Sequence, residues 1–195
     1  MNKAVMISIH PKWCELIANG KKTIEVRKTK PKIDTPFKCY IYQTKKRILI
    51  DITRKGEMGW CGEIAKETRI ISCPDWNAGK VIGEFVCDSI DEYTNYSLDE
   101  QKGHIKRRED LLRSACMTLK DWRDYIGSYR SDKGYAWHIS NLVIYDKPKE
   151  LSEFCKGCDD SFDIMYGSYC KYCDKRNKLT RPFQSWGYVE EQDND

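Results

Sequence analysis

A short apolar helix stopped by Asn19-Gly20 and handed, after two lysines, to the strand Ile24-Glu25-Val26-Arg27 is the feature that most narrows how this chain can fold. Pro11 suits a first helical turn, and Trp13, Leu16 and Ile17 supply an apolar stripe ahead of the Asn-Gly stop. Successive strand side chains point to opposite faces. Ile24 and Val26 are therefore free to enter a core while Thr23, Glu25 and Arg27 share the other face, with Lys22 at the strand's mouth. An ammonium, a carboxylate and a guanidinium converge beside a helix terminus, which suits a small polar ligand. The bland alternative is an intrastrand ion pair beside a solvated lysine, a kind of pair that contributes about 0–1 kcal/mol.

Around this unit the pattern is β-rich. Ala4–Ile9, Phe37–Tyr42, Ile48–Thr53, Val81–Cys87, Tyr135–Tyr145 and Ser185–Val189 read as strands. Asp146-Lys147-Pro148 is expected to end the fifth, and Gly83 to mark a bend or close backbone approach. Gly56–Gly79, with its glycines, Pro74 and two tryptophans, reads mostly as loop. From Ser97 to Gly127 the spacing of Ile105, Leu111, Leu112, Leu119, Trp122 and Ile126 predicts amphipathic helices, Thr118 capping the second. Strands outnumber helices, so the pattern predicts an α+β fold: a small, mostly antiparallel barrel with packed helices.

With 195 residues, 40% hydrophobic and 33% charged, the chain has ample material for a core and is not of disordered composition. Its N-terminal apolar run is too short for a signal peptide, and no segment approaches the ~20 residues of a membrane span. The expectation is a cytoplasmic protein without a membrane partner, its cysteines reduced or metal-bound. Residues 1–55 hold fourteen Lys and Arg against four acids, a net of +10, whereas the remainder nets −6. That asymmetry suggests an anionic partner, nucleic acid foremost, for the first third. Lysines offset in the fold by later acids are the alternative.

Cys155-x2-Cys158 and Cys170-x2-Cys173, eleven residues apart, form two knuckles that can close a tetrahedron of thiolates on one ion. Four soft thiolates suit Zn²⁺, and a closed site of this kind is structural. Redox dithiols are the rival, and basic and aromatic neighbours such as Lys171 and Tyr172 leave room for a nucleic-acid contact. The other six cysteines (14, 39, 61, 73, 87, 116) lie singly and read as buried, inert thiols.

Gly20, Lys22, Glu25 and Arg27 spell G-x-K-x-x-E-x-R. With Ile7–Lys12, Cys39–Tyr42, Gly79–Phe85 and Tyr135–Ser140, this phrase resembles the ASCH domain family of PUA-like β-barrels. Ile144–Leu151 and Gln184-Ser185-Trp186 are similar to a subgroup often encoded by phages and prophages. The resemblance implies one PUA-like domain over 1–195 with the zinc-knuckle segment, 154–174, as an insertion; the acidic residues 191–195 after the last strand are expected to fray. It implies a cleft between the first helix and the barrel, lined by the motif's Lys, Glu and Arg, and a role in binding RNA. Related acetylcytidine amidohydrolases use a Lys, a Thr nucleophile and a Glu. The Lys corresponds to Lys22, but Glu25 stands where the Thr would be.

The residues expected to bind ligand are Lys22, Thr23, Glu25, Arg27, Trp137 and His138. His138 is either a general base or a satisfied barrel histidine; Trp13, Tyr40, Tyr42 and Trp137 either stack a base or fill the core. The leading function is regulatory binding of RNA, other nucleic acid or a modified nucleoside. A hydrolase (ribonuclease or amidohydrolase-like) using Lys22 and Glu25 is the alternative, as is a phage-type protein that docks on a host complex.

Overall fold

The computed structural model describes residues 3–45, 47–53, 66–72, 77–95, 105–157 and 178–192. Its strands are β1 (Lys3–Ile9), β2 (Ile24–Arg27), β3 (Phe37–Gln43), β4 (Arg47–Thr53), β5 (Lys66–Ser72), β6 (Lys80–Thr94), β7 (Lys133–Glu150) and β8 (Trp186–Glu190). The helices are α1 (Pro11–Ala18), α2 (Ile105–Ser114) and α3 (Leu119–Ile126). Six strands form one sheet in the order β2-β7-β6-β3-β1-β8, and β4 pairs with β5 as a separate ribbon. Among these strands β1 and β3 run parallel, and the other pairings are antiparallel. The fold is therefore the expected mixed α+β type. The sheet's two edges approach one another through side chains rather than a ladder: Arg27 reaches Ser185, and Trp186 Nε1 donates to Thr29 Oγ1 at 3.0 Å.

The alternation in β1 sends Val5, Ile7 and Ile9 into a core with Ile17 and Cys14 of α1, Phe37, Phe85 and Trp137. Ala4 and Met6 pack on the opposite face against Tyr40, Phe154 and Val189. A third cluster joins Ile24 and Val26 of β2 to Leu111 of α2 and Trp122 of α3. Strand β2 is thus clamped by helices on its apolar face, leaving Glu25 and Arg27 to face α1. Thr118 caps α3 as expected, accepting from Asp121 N at 3.1 Å while the Asp121 carboxylate accepts from Thr118 N at 2.9 Å.

Three elements depart from the sequence expectation. Lys66–Ser72, inside the stretch read as loop, is a strand because it pairs with β4 in the register Ile48↔Ile71 to Thr53↔Lys66, a partnership local propensity does not reveal. Strand β7 runs through Asp146-Lys147-Pro148 to Glu150. The β6–β7 register slips between Val81↔Lys149 and Gly83↔Ile144, so Pro148 lies in a bulged stretch where a missing N–H is tolerated. There Gly83 makes the close approach its position suggested: a Cβ would stand 2.4 Å from the Val143 carbonyl oxygen. Finally, the first two residues of the tail expected to fray are held. Gln192 N donates to Tyr40 Oη at 2.8 Å, and Glu191 lies 3.6 Å from Lys38 Nζ. Among the described residues no helix is long and apolar enough to cross a membrane.

Candidate binding cleft

The Asn-Gly stop positions the cleft. Gly20 adopts a left-handed φ of +73°, a conformation that costs glycine least. The turn folds back so that Lys22 N donates to Leu16 O at 2.9 Å. Thr23 is pinned on both sides, donating to Ser114 O and accepting from Ile139 N, each at 2.9 Å. These bonds leave Thr23 exposed and drive the Lys22 side chain inward to 2% exposure.

Inside, Lys22 Nζ donates to the Ala115 carbonyl at 2.7 Å, lies 3.3 Å from Glu25 Oε2, and sits 4.9 Å from the centre of the Trp13 ring. The other Glu25 oxygen meets Arg27 Nη2 at 2.9 Å. Arg27 Nη2 also donates to Ser8 O at 2.7 Å, and Nη1 contacts the Ser185 carbonyl and hydroxyl at 3.4 and 3.3 Å. Three charges are buried together, each supported by backbone carbonyls or by its neighbours. One donor is left over: Arg27 Nε is buried and has no hydrogen-bond partner among the described residues. Buried N–H groups are nearly always paired.

The triad forms the floor of a cavity of about 390 Å³. Trp13 of α1 stands on one side, and Met117 and Tyr125 from the α3 region on the other. Burial pushes the Tyr125 phenol above its ordinary range, opposed by the charge and hydrogen bond of Arg27, so the phenol is also in contact with the triad. The mouth carries Asp121 and Asp124 of α3.

Of the residues expected to bind ligand, the structure brings Lys22, Glu25 and Arg27 together and places the other three elsewhere. Trp137 is fully buried beneath the site, edge-on to Phe37 and tilted against Trp186. His138, on the opposite face of β7, has Nε2 3.1 Å from Asp91 Oδ2 in a separate cavity with Tyr93 and Arg107. Thr23 points to solvent. Tyr40 and Tyr42 are core residues, so among the aromatic candidates Trp13 alone lines the cleft. Sequence reasoning missed Ser8, Ser185 and Tyr125. Tyr125 falls three residues after the core Trp122, a spacing that reads as helix face and gives no hint of a cleft. Among the described residues no group of three His, Cys, Asp or Glu could hold a metal. Cys155 is half-buried and bridges to Lys178, while Cys158, Cys170 and Cys173 lie outside the described residues.

A family model for the ASCH domain matches residues 7–149. The chain belongs to the ASCH domain family. The match includes the whole of G-x-K-x-x-E-x-R and the strands and helices that form the cleft. This ASCH domain is similar in fold to the crystal structure of ASCH from Zymomonas mobilis, with a TM-score of 0.54 and 17% identity over 96% of this chain and 88% of that one. Two mutant proteins of ZmASCH from the same organism give the same TM-score of 0.54 at 18% identity. They are covered to 92% and 89% of their lengths, by 97% and 96% of this chain. None of the curated proteins matches. At this identity the likeness is one of fold, and the chemistry rests on the residues of this cleft.

Proposed function

We propose that this ASCH domain binds RNA by taking one nucleotide into the cleft floored by Lys22, Glu25 and Arg27. The observation that carries the proposal is the buried triad of Lys22, Glu25 and Arg27 on the floor of a cavity of about 390 Å³ that Trp13 and Tyr125 also line. The volume lies near the lower end of ligand sites and suits a nucleoside-sized group. Aromatic and apolar walls with a few convergent polar groups on the floor are what such a ligand requires.

Glu25 acts in recognition rather than as a nucleophile. Both its oxygens are engaged by cations, and among the described residues the hydroxyl-bearing side chains lining the cavity are Ser8 and Tyr125. Ser8 Oγ is committed to the Phe183 carbonyl at 2.6 Å. The four-cysteine segment adds a structural zinc. Its two ends lie side by side, Leu179 N donating to Phe154 O at 2.8 Å, as a stapled excursion from the sheet requires.

The test is anisotropy with labelled single-stranded RNA. Arg27→Lys, which keeps the charge and removes the fork, and Tyr125→Ala, which opens one wall, should each weaken binding at least several-fold while the fold is retained. Unchanged affinity in both variants overturns the proposal. Incubation with labelled RNA and acetylated nucleosides completes the test: turnover abolished by Glu25→Gln would replace binding with the hydrolase function.

A further inference from the structure

The mouth of the cleft carries a feature that a pocket for a free nucleoside would not need. Each aromatic wall holds an exposed lysine in place. Lys12 Nζ lies 4.6 Å from the centre of the Trp13 ring, and Lys28 Nζ lies 5.4 Å from that of Tyr125. Neither lysine makes an ion pair among the described residues, so both charges are available to an incoming anion. Cation–π contacts at exposed sites are weak, but they keep a flexible side chain at one place.

The acids of the mouth are already engaged. Asp121 accepts from Thr118, and its carboxyl is held below the usual range by those bonds, with the field of Lys12 reaching it from across the opening. Asp124 is paired with Lys120. Neither acid holds Lys12 or Lys28 in an ion pair, so an anionic chain at the mouth is drawn to Lys28 on one side and Lys12 on the other. Past Trp13 the opening continues. His10 and Trp13 line both the cleft and a second groove of about 870 Å³, whose wall also includes Lys12, Gln43 and Tyr145.

We propose that the cleft takes an internal, unpaired nucleotide of an RNA strand, with Lys12 and Lys28 receiving the phosphates on its two sides and the strand continuing past Trp13 into the second groove. The inference rests on the binding function proposed above and specifies its substrate as a continuous single strand. A paired and stacked base cannot enter a cavity walled by two helices, so the nucleotide must be unpaired or extruded.

The experiment compares an eight-nucleotide RNA of randomised sequence, a duplex of the same length and the four ribonucleosides. Dissociation constants for the RNAs are measured from 50 to 300 mM salt. The single strand should bind at least ten-fold more tightly than any nucleoside and more tightly than the duplex. Each phosphate neutralised on a single strand contributes about −0.7 to the slope of log affinity against log salt. The Lys12→Gln/Lys28→Gln variant should therefore flatten the slope by about 1.4. Lys133→Gln, which removes a cation paired with Glu92 on another part of the surface, should leave it unchanged.

An unaltered slope in the double variant, or equal flattening by Lys133→Gln, overturns the inference. So does a duplex or a nucleoside that binds as tightly as the strand. If nucleosides bind and the strand gains nothing over them, this inference falls alone. If neither nucleosides nor RNA bind, the cleft's proposed function falls with it.

Discussion

Replacing Glu25 by Gln tests the physical account of the cleft without reference to any ligand. The substitution preserves shape and removes the one anion between two buried cations, Lys22 at 3.3 Å and Arg27 at 2.9 Å. Breaking a buried pair by deleting one partner typically costs about 3–5 kcal/mol, because the remaining charge is left uncompensated. Here the survivors keep the Ala115 and Ser8 carbonyls, both at 2.7 Å, and the cavity admits water from one side. The loss should therefore fall at the lower end, about 3 kcal/mol. With a urea m-value of about 2–3 kcal/mol/M for a chain of this size, the midpoint should drop by roughly 1–1.5 M. The melting temperature should fall by roughly 6–12 °C, at about 2–4 °C per kcal/mol. Lys22→Met combined with Glu25→Gln should recover part of the loss, with a coupling energy of about 1–3 kcal/mol. A loss below about 1 kcal/mol for Glu25→Gln would show that the triad behaves as an exposed ion pair. Strict additivity in the double variant would show that Lys22 and Glu25 do not share their charge. Either result refutes the reasoning.

Asn95 ties α3 to the chain around it: it accepts from Trp122 Nε1 at 3.0 Å and donates to Gly127 O and Tyr129 O at 2.9 and 2.6 Å. Asn95→Ala should cost about 2–3 kcal/mol by chemical denaturation, since it leaves the buried Trp122 indole N–H and the Gly127 carbonyl without this partner while Tyr129 O keeps Asp132 N at 3.1 Å; a loss under about 1 kcal/mol would contradict that. Burial, reinforced by the charge of Asp88, pushes the Cys87 thiol from 9.0 up to about 12. The folded chain thus keeps a proton that the unfolded chain surrenders. Its stabilising contribution is complete below about pH 9 and is lost as pH rises toward about 12. Urea midpoints between about pH 8 and 10.5 should decline less steeply in Cys87→Ala than in the parent, and identical slopes would rule this out. Metal analysis of protein purified without chelator should find about one zinc per chain, as a single four-thiolate site binds one ion. Cys155→Ser should lower the zinc content, and metal-free protein with a normal melting curve would remove zinc from the account.

Much of the cleft was legible because its logic is local. The Asn-Gly stop, the period-two alternation of β2 and the cap at Thr118 depend on neighbours a few residues away, and each is found where periodicity puts it. The same alternation separates Ile24 and Val26, which join the helices, from Glu25 and Arg27, which face α1. What escaped the sequence depends on contacts between distant segments. Lys66–Ser72 is a strand by virtue of its partner. Pro148 stays within β7 because a bulge absorbs it. Tyr125 reaches the triad only after α3 has packed across β2.

The sequence by itself determined the family, the α+β class and the identity of the three charged residues, since side-chain spacing along one helix and one strand suffices for these. Tertiary structure decided the rest. It buried the triad, moved Trp137 into the core and His138 to another face, and supplied the carbonyls of Ser8, Ala115 and Ser185. Residues 19, 93 and 158 positions apart in the chain become hydrogen-bond partners there, and no local pattern records such a meeting.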